Sequence, residues 1–295
     1  MTLLELSIVL LVISIAAGAL GSLIGVGGGF VIVPVLTLGL HLDIRLAIGT
    51  SIVAVAATSS AGAARNVTES ITNLRVATFL AVATTVGAVT GAVLAGVFSS
   101  RFLYLLFGIV LAASGIQMLR KRSAASASRQ VSEADELDAV AVFAQSRRGG
   151  GLADRLSLHS AYYDQADGRD VPYLVAHTGL GLGLMYLAGT VSGLLGIGSG
   201  VLKVPAMDLA MNIPMKVSTA TSNLLIGLTA AASAVVYFAR GDIDPLIAGP
   251  VAIGVLLGAS AGAGMLSGIR SDRLRVIFVI ALAVVAAQML WKGIS

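Results

Sequence analysis

The stretch Gly25-Val26-Gly27-Gly28-Gly29-Phe30, followed by Pro34, lies inside a long apolar segment and recurs as Gly196-Ile197-Gly198-Ser199-Gly200-Val201, followed by Pro205. Glycine at this density disfavours a helix, so we interpret each copy as a break in a membrane helix. Main-chain groups at such a break lose their intrahelical partners, which hydrocarbon tolerates only where protein or water replaces them. Paired breaks in two halves of a chain indicate the binding site of a transporter.

The composition predicts the class of protein. Hydrophobic residues make up 57% of the chain and charged residues 12%, and the mean hydropathy is +0.94. These values exclude an ordinary soluble domain. Apolar runs of about 18 residues or more, separated by short polar turns, predict helical spans rather than a membrane β-barrel. We therefore expect an all-α integral membrane protein.

The charges and the missing motifs exclude several function classes. The net charge is +4, but most Lys and Arg flank apolar spans, as the positive-inside bias predicts, so we expect no nucleic-acid partner. The chain has no cysteine, which excludes disulfides and thiolate metal sites. It also lacks a His-Glu-x-x-His motif, a nucleophile elbow and a phosphate-binding loop. We expect no enzymatic activity, no cofactor and no metal site.

Three regions follow from the distribution of polar residues. Residues 1–122 and 171–295 are predominantly apolar, whereas residues 123–170 are polar and charged. We predict two membrane regions joined by an extramembrane linker on the cytoplasmic side. Residues 162–173 of this linker are expected to form a small turn structure, and the rest a solvated tether. The first basic residue is Arg45, so residues 2–20 are interpreted as a membrane segment rather than a signal peptide.

The second membrane region repeats the first. A shift of 171 positions, the difference between 192 and 21, aligns residues 21–121 with 192–292 without a gap. This register matches Gly25 with Gly196, Gly27 with Gly198, Gly29 with Gly200, Pro34 with Pro205, and Thr50-Ser51 with Thr221-Ser222. We predict two homologous repeats of four helical elements, each beginning with the element that contains the glycine break.

The orientation of the repeats depends on how the broken element crosses the membrane. A single crossing makes the repeats parallel, and a re-entrant hairpin makes them inverted. With the linker inside, the inverted arrangement leaves Arg45, Arg101, Arg240 and Lys292 outside and places the other loop cations inside. The parallel arrangement leaves more loop cations outside. The positive-inside rule therefore favours inverted repeats with re-entrant broken elements.

The polar residues near the breaks are candidates for anion binding. A helix that starts at Phe30 or Val201 directs its free N–H groups and the positive end of its dipole at the break. Hydroxyl and amide donors follow in Thr50-Ser51 and Thr221-Ser222-Asn223, and Ser199 adds another hydroxyl. The alternative is structural: the glycines permit close helix packing, and the hydroxyls bond to helical carbonyls.

Lys203 has no counterpart in the first repeat, where Ile32 occupies its position. An ionisable group inside a membrane segment is a functional hypothesis, here a fixed charge with Asp208 as its candidate partner. Snorkelling of the long side chain to the interface is the alternative. His177 is a weaker candidate for a proton relay, because a lone membrane histidine more often bonds a neighbouring helix.

Both halves resemble the TauE/SafE family of membrane transporters. The resemblance lies in Ser22 to Phe30 with Val33-Pro34 and Gly49-Thr50-Ser51, and in Ser192 to Gly200 with Lys203-Val204-Pro205 and Ala220 to Asn223. Ser199 departs from the family, which usually has glycine there. The resemblance implies a permease for sulfite, sulfonates or related sulfur-containing or carboxylate anions, multi-pass in the plasma (inner) membrane of a prokaryote.

The leading hypothesis is a secondary transporter that moves a small anion by alternating access, with a proton or ion as a possible coupling partner. The alternatives are a cation permease or channel that uses carbonyls at the breaks, and a non-transporting membrane scaffold. The predicted substrate-binding residues are Gly25, Gly27, Gly28, Gly29, Thr50, Ser51, Gly196, Gly198, Ser199, Gly200, Lys203, Thr221, Ser222 and Asn223.

Overall fold

A computed structural model describes residues 3–24, 29–68, 71–124, 152–164, 169–265 and 271–294. The helices of these residues are α1 (Leu3–Ile24), α2 (Gly29–Pro34), α3 (Ile44–Thr68), α4 (Leu74–Val97), α5 (Ser100–Ala124), α6 (Leu152–Arg155), α7 (Thr178–Leu195), α8 (Gly200–Pro205), α9 (Met215–Ala239), α10 (Pro245–Met265) and α11 (Ser271–Ile294). Helices α2 and α8 each continue as a π-helical turn, Val35–Gly39 and Ala206–Ala210.

The described chain is a helical bundle with the character of a membrane protein. Four stretches of its helices are long and apolar enough to cross a membrane, namely Ile44–Ala63, Leu74–Val97, Thr178–Leu195 and Met215–Ala239. Many of their outward-facing side chains are large and apolar, as in contact with lipid; Val82 on α4 is 68% exposed and Val235 on α9 is 70% exposed. This is the helical membrane class that the composition predicts.

The helices of the two membrane regions pack in matching pairs. Helix α1 packs along α10, and α7 packs along α4. Helix α3 contacts both α9 and α10, while α9 contacts both α3 and α4, and α5 packs along α11. Exchange of the two regions, α1 for α7 through α5 for α11, leaves this set of contacts unchanged.

Small residues allow these helices to touch through their main chains. A Cβ atom added to Gly87 or Gly91 of α4 would collide with main-chain oxygens of α7, and one added to Gly189 or Gly193 of α7 would collide with those of α4. Gly254 of α10 is similarly close to α1. Close main-chain approach through small residues is the usual basis of helix association in membranes.

The loops gather at two ends of the bundle. At the first, called the Arg45 end, Arg45 Nη2 donates to the Phe98 carbonyl at 2.9 Å and Lys292 Nζ to the Thr37 carbonyl at 3.1 Å. At the second, called the Arg75 end, Arg75 Nη1 donates to the carbonyl of Ser157 at 3.1 Å. The two groups of loops therefore occupy opposite ends of the helices.

The second broken element starts and finishes at the Arg75 end. Ala176, just before α7, donates its N–H to the carbonyl of Met211, just after the π turn that extends α8, at 3.0 Å. Gly181, in the first turn of α7, faces the Met211 side chain. The residues just before α7 and just after the π turn that extends α8 are therefore neighbours at this end of the bundle.

The described part of the linker folds onto the membrane helices. Strands β1 (Ser160–Asp164) and β2 (Arg169–Tyr173) pair antiparallel, with Tyr162 opposite Val171. This two-stranded sheet is a small addition to an otherwise helical chain, and its tyrosines and Val171 are residue types that suit a strand. Tyr162 and Tyr173 are buried in one apolar cluster with Val76 of α4. The hairpin therefore packs against the membrane helices.

Asn73 connects the hairpin to both membrane regions. Its Nδ2 donates to the Leu158 carbonyl at 3.0 Å and to the Tyr173 hydroxyl at 2.8 Å, and its Oδ1 accepts the Val76 N–H at the start of α4. Its own N–H donates to Thr221 Oγ1 at 3.3 Å. Burial raises the pKa of Tyr173 above its ordinary value of 10.0, although its hydrogen bonds to Asn73 and Ser160 act in the opposite direction.

Replacing Asn73 by alanine is expected to lower the free energy of unfolding by about 2 kcal/mol, because a helix cap and two buried partners are lost together. Thermal unfolding in detergent and limited proteolysis of the linker would measure the effect. Ser99→Ala is the matched control, since the Ser99 hydroxyl accepts a single long bond of 3.4 Å at an exposed helix start. Equal stability of the two variants would contradict this role of Asn73.

Candidate functional site

The second glycine stretch is a true interruption of the helix. Helix α7 ends where the Gly196 N–H donates to the Ser192 carbonyl at 2.8 Å. The next turns need left-handed backbone, with φ of +67° at Gly196, +72° at Gly198 and +44° at Ser199. Glycine adopts such angles without strain, and Ser199 is held there by a 2.7 Å bond from its hydroxyl to the Ala188 carbonyl.

The first break meets the second at helix α3. Gly25, Gly27 and Gly28 lie outside the described residues, but Gly29 is buried at the start of α2. A Cβ atom on Gly29 would lie 2.7 Å from the Gly196 carbonyl oxygen, 2.9 Å from Ser51 Oγ and 2.9 Å from a methyl group of Val55. A Cβ on Gly198 would lie 3.0 Å from the other methyl group of Val55. The two broken elements are therefore in direct contact.

Two of the predicted hydroxyl donors bond to main-chain carbonyls in this conformation. Ser51 donates to the carbonyl of Gly196 at 2.8 Å across the contact between the breaks, and Ser199 donates to Ala188. The group of the second break that faces Gly29 is therefore a carbonyl, and Ser51 of α3 supplies its hydrogen bond.

Two other predicted hydroxyls are buried and unpaired. Thr50 is 0% exposed and Ser222 is 1% exposed, and neither hydroxyl has a hydrogen-bond partner within the described part of the chain. Ser222 Oγ lies 3.8 Å from the position of a Cβ atom on Gly200, where α8 begins. A buried donor without a partner is destabilising, so each group is available to a ligand or a water molecule.

The remaining polar residues of the second motif face different neighbours. Thr221 is buried and accepts the N–H of Asn73. Asn223 is partly exposed and lies beside Gly62 of α3, where a Cβ atom would be 3.6 Å from Asn223 Nδ2. The second motif therefore lies on the face of α9 that meets α3 and the α3–α4 loop.

Lys203 is the one charged side chain among the described residues that is fully buried. Its Nζ donates to Thr229 Oγ1 at 2.8 Å and to the Leu225 carbonyl at 3.4 Å, both on α9. The expected pairing with Asp208 is wrong. A helical side chain points back toward the N-terminus of its helix, so Nζ lies toward the break while Asp208 lies on the π turn beyond Pro205.

Thr229 and Asn73 were not predicted from the sequence. Thr229 aligns with Thr58 at the shift of 171 positions, and this match was the available signal. Asn73 lies in a loop and gave no signal. Its partners are 85 and 100 positions away along the chain.

Comparison with known proteins identifies the family. The family model described as "Sulfite exporter TauE/SafE" matches residues 10–289. The chain belongs to the TauE/SafE family. This confirms the resemblance seen in the glycine motifs of both halves.

Two curated relatives of the TauE/SafE chain match along almost their whole length. It is 26% identical to the "Probable membrane transporter protein YunE" of Bacillus subtilis, over 97% of this chain and 98% of the relative. It is 25% identical to a "Probable membrane transporter protein" of Xylella fastidiosa, over 96% of each. No solved structure matches it significantly. Both relatives carry the name of a membrane transporter.

Proposed function

We propose that this TauE/SafE protein is a secondary transporter of a small anion, such as sulfite, a sulfonate or a related sulfur-containing or carboxylate anion. The observation that carries the proposal is the contact of the two broken elements on α3, together with buried polar groups that lack a hydrogen-bond partner among the described residues. Thr50 and Ser222 offer such hydroxyls, and Lys203 offers an amine with no carboxylate among its hydrogen-bond partners. Hydroxyl and amine groups with unused hydrogens suit an anion, because the oxygens of an anion accept hydrogen bonds and donate none.

The architecture supports alternating access between two inverted repeats. We propose membrane repeats over residues 1–122 and 171–295, joined by the linker over 123–170. The matching helix contacts of the two regions support the repeat, and the return of the second broken element to the Arg75 end supports a re-entrant hairpin. Arg45 and Arg240 both lie at the Arg45 end, which supports the inverted orientation. By the positive-inside rule, we place the Arg75 end on the cytoplasmic side.

Anion binding then requires the two breaks to separate. The contact between Gly29 and the Gly196 carbonyl fills the space that a ligand would need. Separation exposes the first N–H groups of α2 and α8, which lack intrahelical partners and lie at the positive ends of the helix dipoles. An anion between them replaces the lost contact, and movement of one repeat against the other then changes the side from which it is reached.

The direct test is flux into proteoliposomes. Radiolabelled sulfite and methanesulfonate are expected to enter vesicles that contain the protein faster than empty vesicles, and unlabelled anions of the same class should compete. Flux no faster than in empty vesicles for every anion of a sulfite, sulfonate and carboxylate panel would overturn the proposal, and a cation-dependent potential would favour a cation permease.

Thr50→Val is expected to weaken anion binding without lowering the stability of the protein. Thr50→Val removes an unpaired buried hydroxyl, so the thermal midpoint should stay unchanged or rise, whereas affinity for the anion should fall about tenfold through the loss of about 1.5 kcal/mol. Thr84→Val is the matched control, because Thr84 is equally buried but its hydroxyl bonds to Leu80 within its own helix at 2.9 Å. Equal affinity of the two variants would remove Thr50 from the site.

A further inference from the structure

The amine of Lys203 is buried with fewer acceptors than it has hydrogens. An ammonium group carries three donors, but Nζ contacts one hydroxyl at 2.8 Å and one carbonyl at 3.4 Å. Thr229 Oγ1 itself donates to main-chain oxygens of its own helix, at 2.9 Å to Leu225, which leaves its lone pairs for the lysine. Both partners are neutral.

No acidic side chain among the described residues hydrogen-bonds to this amine. The titratable groups on the helices packed against α8 are Tyr186 on α7, and Lys216 and Tyr237 on α9; its own π extension carries Asp208. None of them is a hydrogen-bond partner of Nζ. A charged ammonium in this position is costly unless an anion arrives to pair with it.

The amine lies close to the second break. Ile226 of α9 contacts the positions of Gly198 and Gly200, with its Cδ1 3.1 Å from a Cβ atom on Gly200. Thr229 follows Ile226 by one helical turn and holds Nζ. An anion bound at the start of α8 would therefore be next to the amine.

We propose that Lys203 carries the coupling proton of this transporter: its amine binds a proton when an anion binds at the breaks and releases it when the anion leaves. This inference rests on the proposed function. The neutral amine, one proton from water and one monovalent anion give an ammonium–anion pair with no net charge. The empty protein returns with the amine neutral again, so the anion and the proton move together and the cycle transfers no net charge.

The proposal also predicts one proton per cycle. The first repeat has Ile32 at the position of Lys203, and the threonine partner is present in both repeats as Thr58 and Thr229. Only the second repeat therefore has the amine. Thr229 acts as a positioning residue that holds the amine toward the break and stabilises its charged form.

Proton counting on the purified full-length protein tests the proposal. Methanesulfonate is the first probe, because it is a monoanion throughout the working pH range and every proton taken up is bound by protein; acetate and sulfoacetate extend the panel. In weak buffer near neutral pH, the wild-type protein should take up about one proton for each anion bound. Lys203→Arg should bind without proton uptake, because arginine is always protonated. Lys203→Met should bind at least tenfold more weakly.

The outcomes distinguish the two proposals. Anion binding by the wild-type protein without proton uptake, or unchanged uptake in Lys203→Arg, would overturn the assignment of Lys203 and leave the anion transporter standing. Failure of the wild-type protein to bind any anion of the panel would overturn both. In vesicles, a pH gradient should accelerate methanesulfonate entry at least tenfold for the wild-type protein and should have no effect on Lys203→Arg.

The role of Thr229 has its own readout. Thr229→Val should move the pH profile of methanesulfonate binding to lower pH, because the charged amine loses its nearest acceptor, whereas Thr229→Ser should restore the wild-type profile. Thr58→Val is the control, since Thr58 also bonds to its own helix, at 3.1 Å to the Ala54 carbonyl, but occupies the repeat without the lysine. An unshifted profile in Thr229→Val would remove the residue from the coupling site.

Discussion

Gly193→Leu is expected to prevent formation of a stable helix bundle. A Cβ atom at Gly193 would collide with the Ala88 carbonyl and lie 2.9 Å from the Ala92 nitrogen, both main-chain atoms of α4. The Gly193 carbonyl also accepts the buried Tyr237 hydroxyl at 2.9 Å, so α7 cannot shift without breaking a second contact. Main-chain atoms cannot rotate away as side chains can, and we expect a loss of ~3 kcal/mol or more.

The same helix offers the control. Gly183 lies on the exposed face of α7, and a Cβ atom there would meet nothing within 4 Å. Gly183→Leu should therefore be neutral or slightly stabilising, since leucine is the better helix former. Size-exclusion profiles and thermal midpoints in detergent compare the two variants. If Gly193→Leu remained monodisperse with the wild-type midpoint, the close contact between α4 and α7 would be wrong.

Gly29→Val is expected to reduce anion transport at least tenfold in a protein that still folds. The new side chain would enter the contact between the two breaks, where a Cβ atom lies 2.7 Å from the Gly196 carbonyl oxygen. It would hold the breaks apart and break the bond from Ser51 to Gly196, so the conformation in which the breaks touch would be lost. The stability cost should be about 2 kcal/mol, because Ser51 can rotate and the break can yield.

The control for Gly29 lies in the same broken element. Gly39 ends the π turn that follows α2, is exposed, and would place a Cβ atom in open space. Gly39→Val should transport at the wild-type rate. Initial rates of sulfite or methanesulfonate entry, divided by the amount of protein in the vesicles, measure the difference. Wild-type flux through Gly29→Val would show that the contact of the breaks is not part of the transport cycle.

The sequence predicted the candidate site only in part. Local composition predicted the interruption at Gly196 to Ser199, because clustered glycines act within a few residues. The use of each hydroxyl depends on distant partners. Ser51 bonds to Gly196, 145 positions away, whereas its repeat partner Ser222 has no partner within the described chain.

Lys203 is a second example of a residue whose partner could not be predicted from the sequence. Its place in an apolar segment suggested a function, and in the structure the side chain is fully buried rather than extended to the interface. Asp208 was the nearest acid in the sequence, but side chains on one short helix do not meet when one points back and the other lies beyond a proline. Lys203 instead donates to Thr229, which lies on another helix 26 positions away.

The sequence by itself determined the membrane class, the family and the position of the second break, because these depend on composition, on local backbone preference and on similarity to other proteins. Only the tertiary structure decided which hydroxyls are used, which group holds the lysine, and that the linker hairpin packs on the bundle. Those outcomes depend on distances between atoms that are far apart in the chain, so aligned residues such as Ser51 and Ser222 have different surroundings.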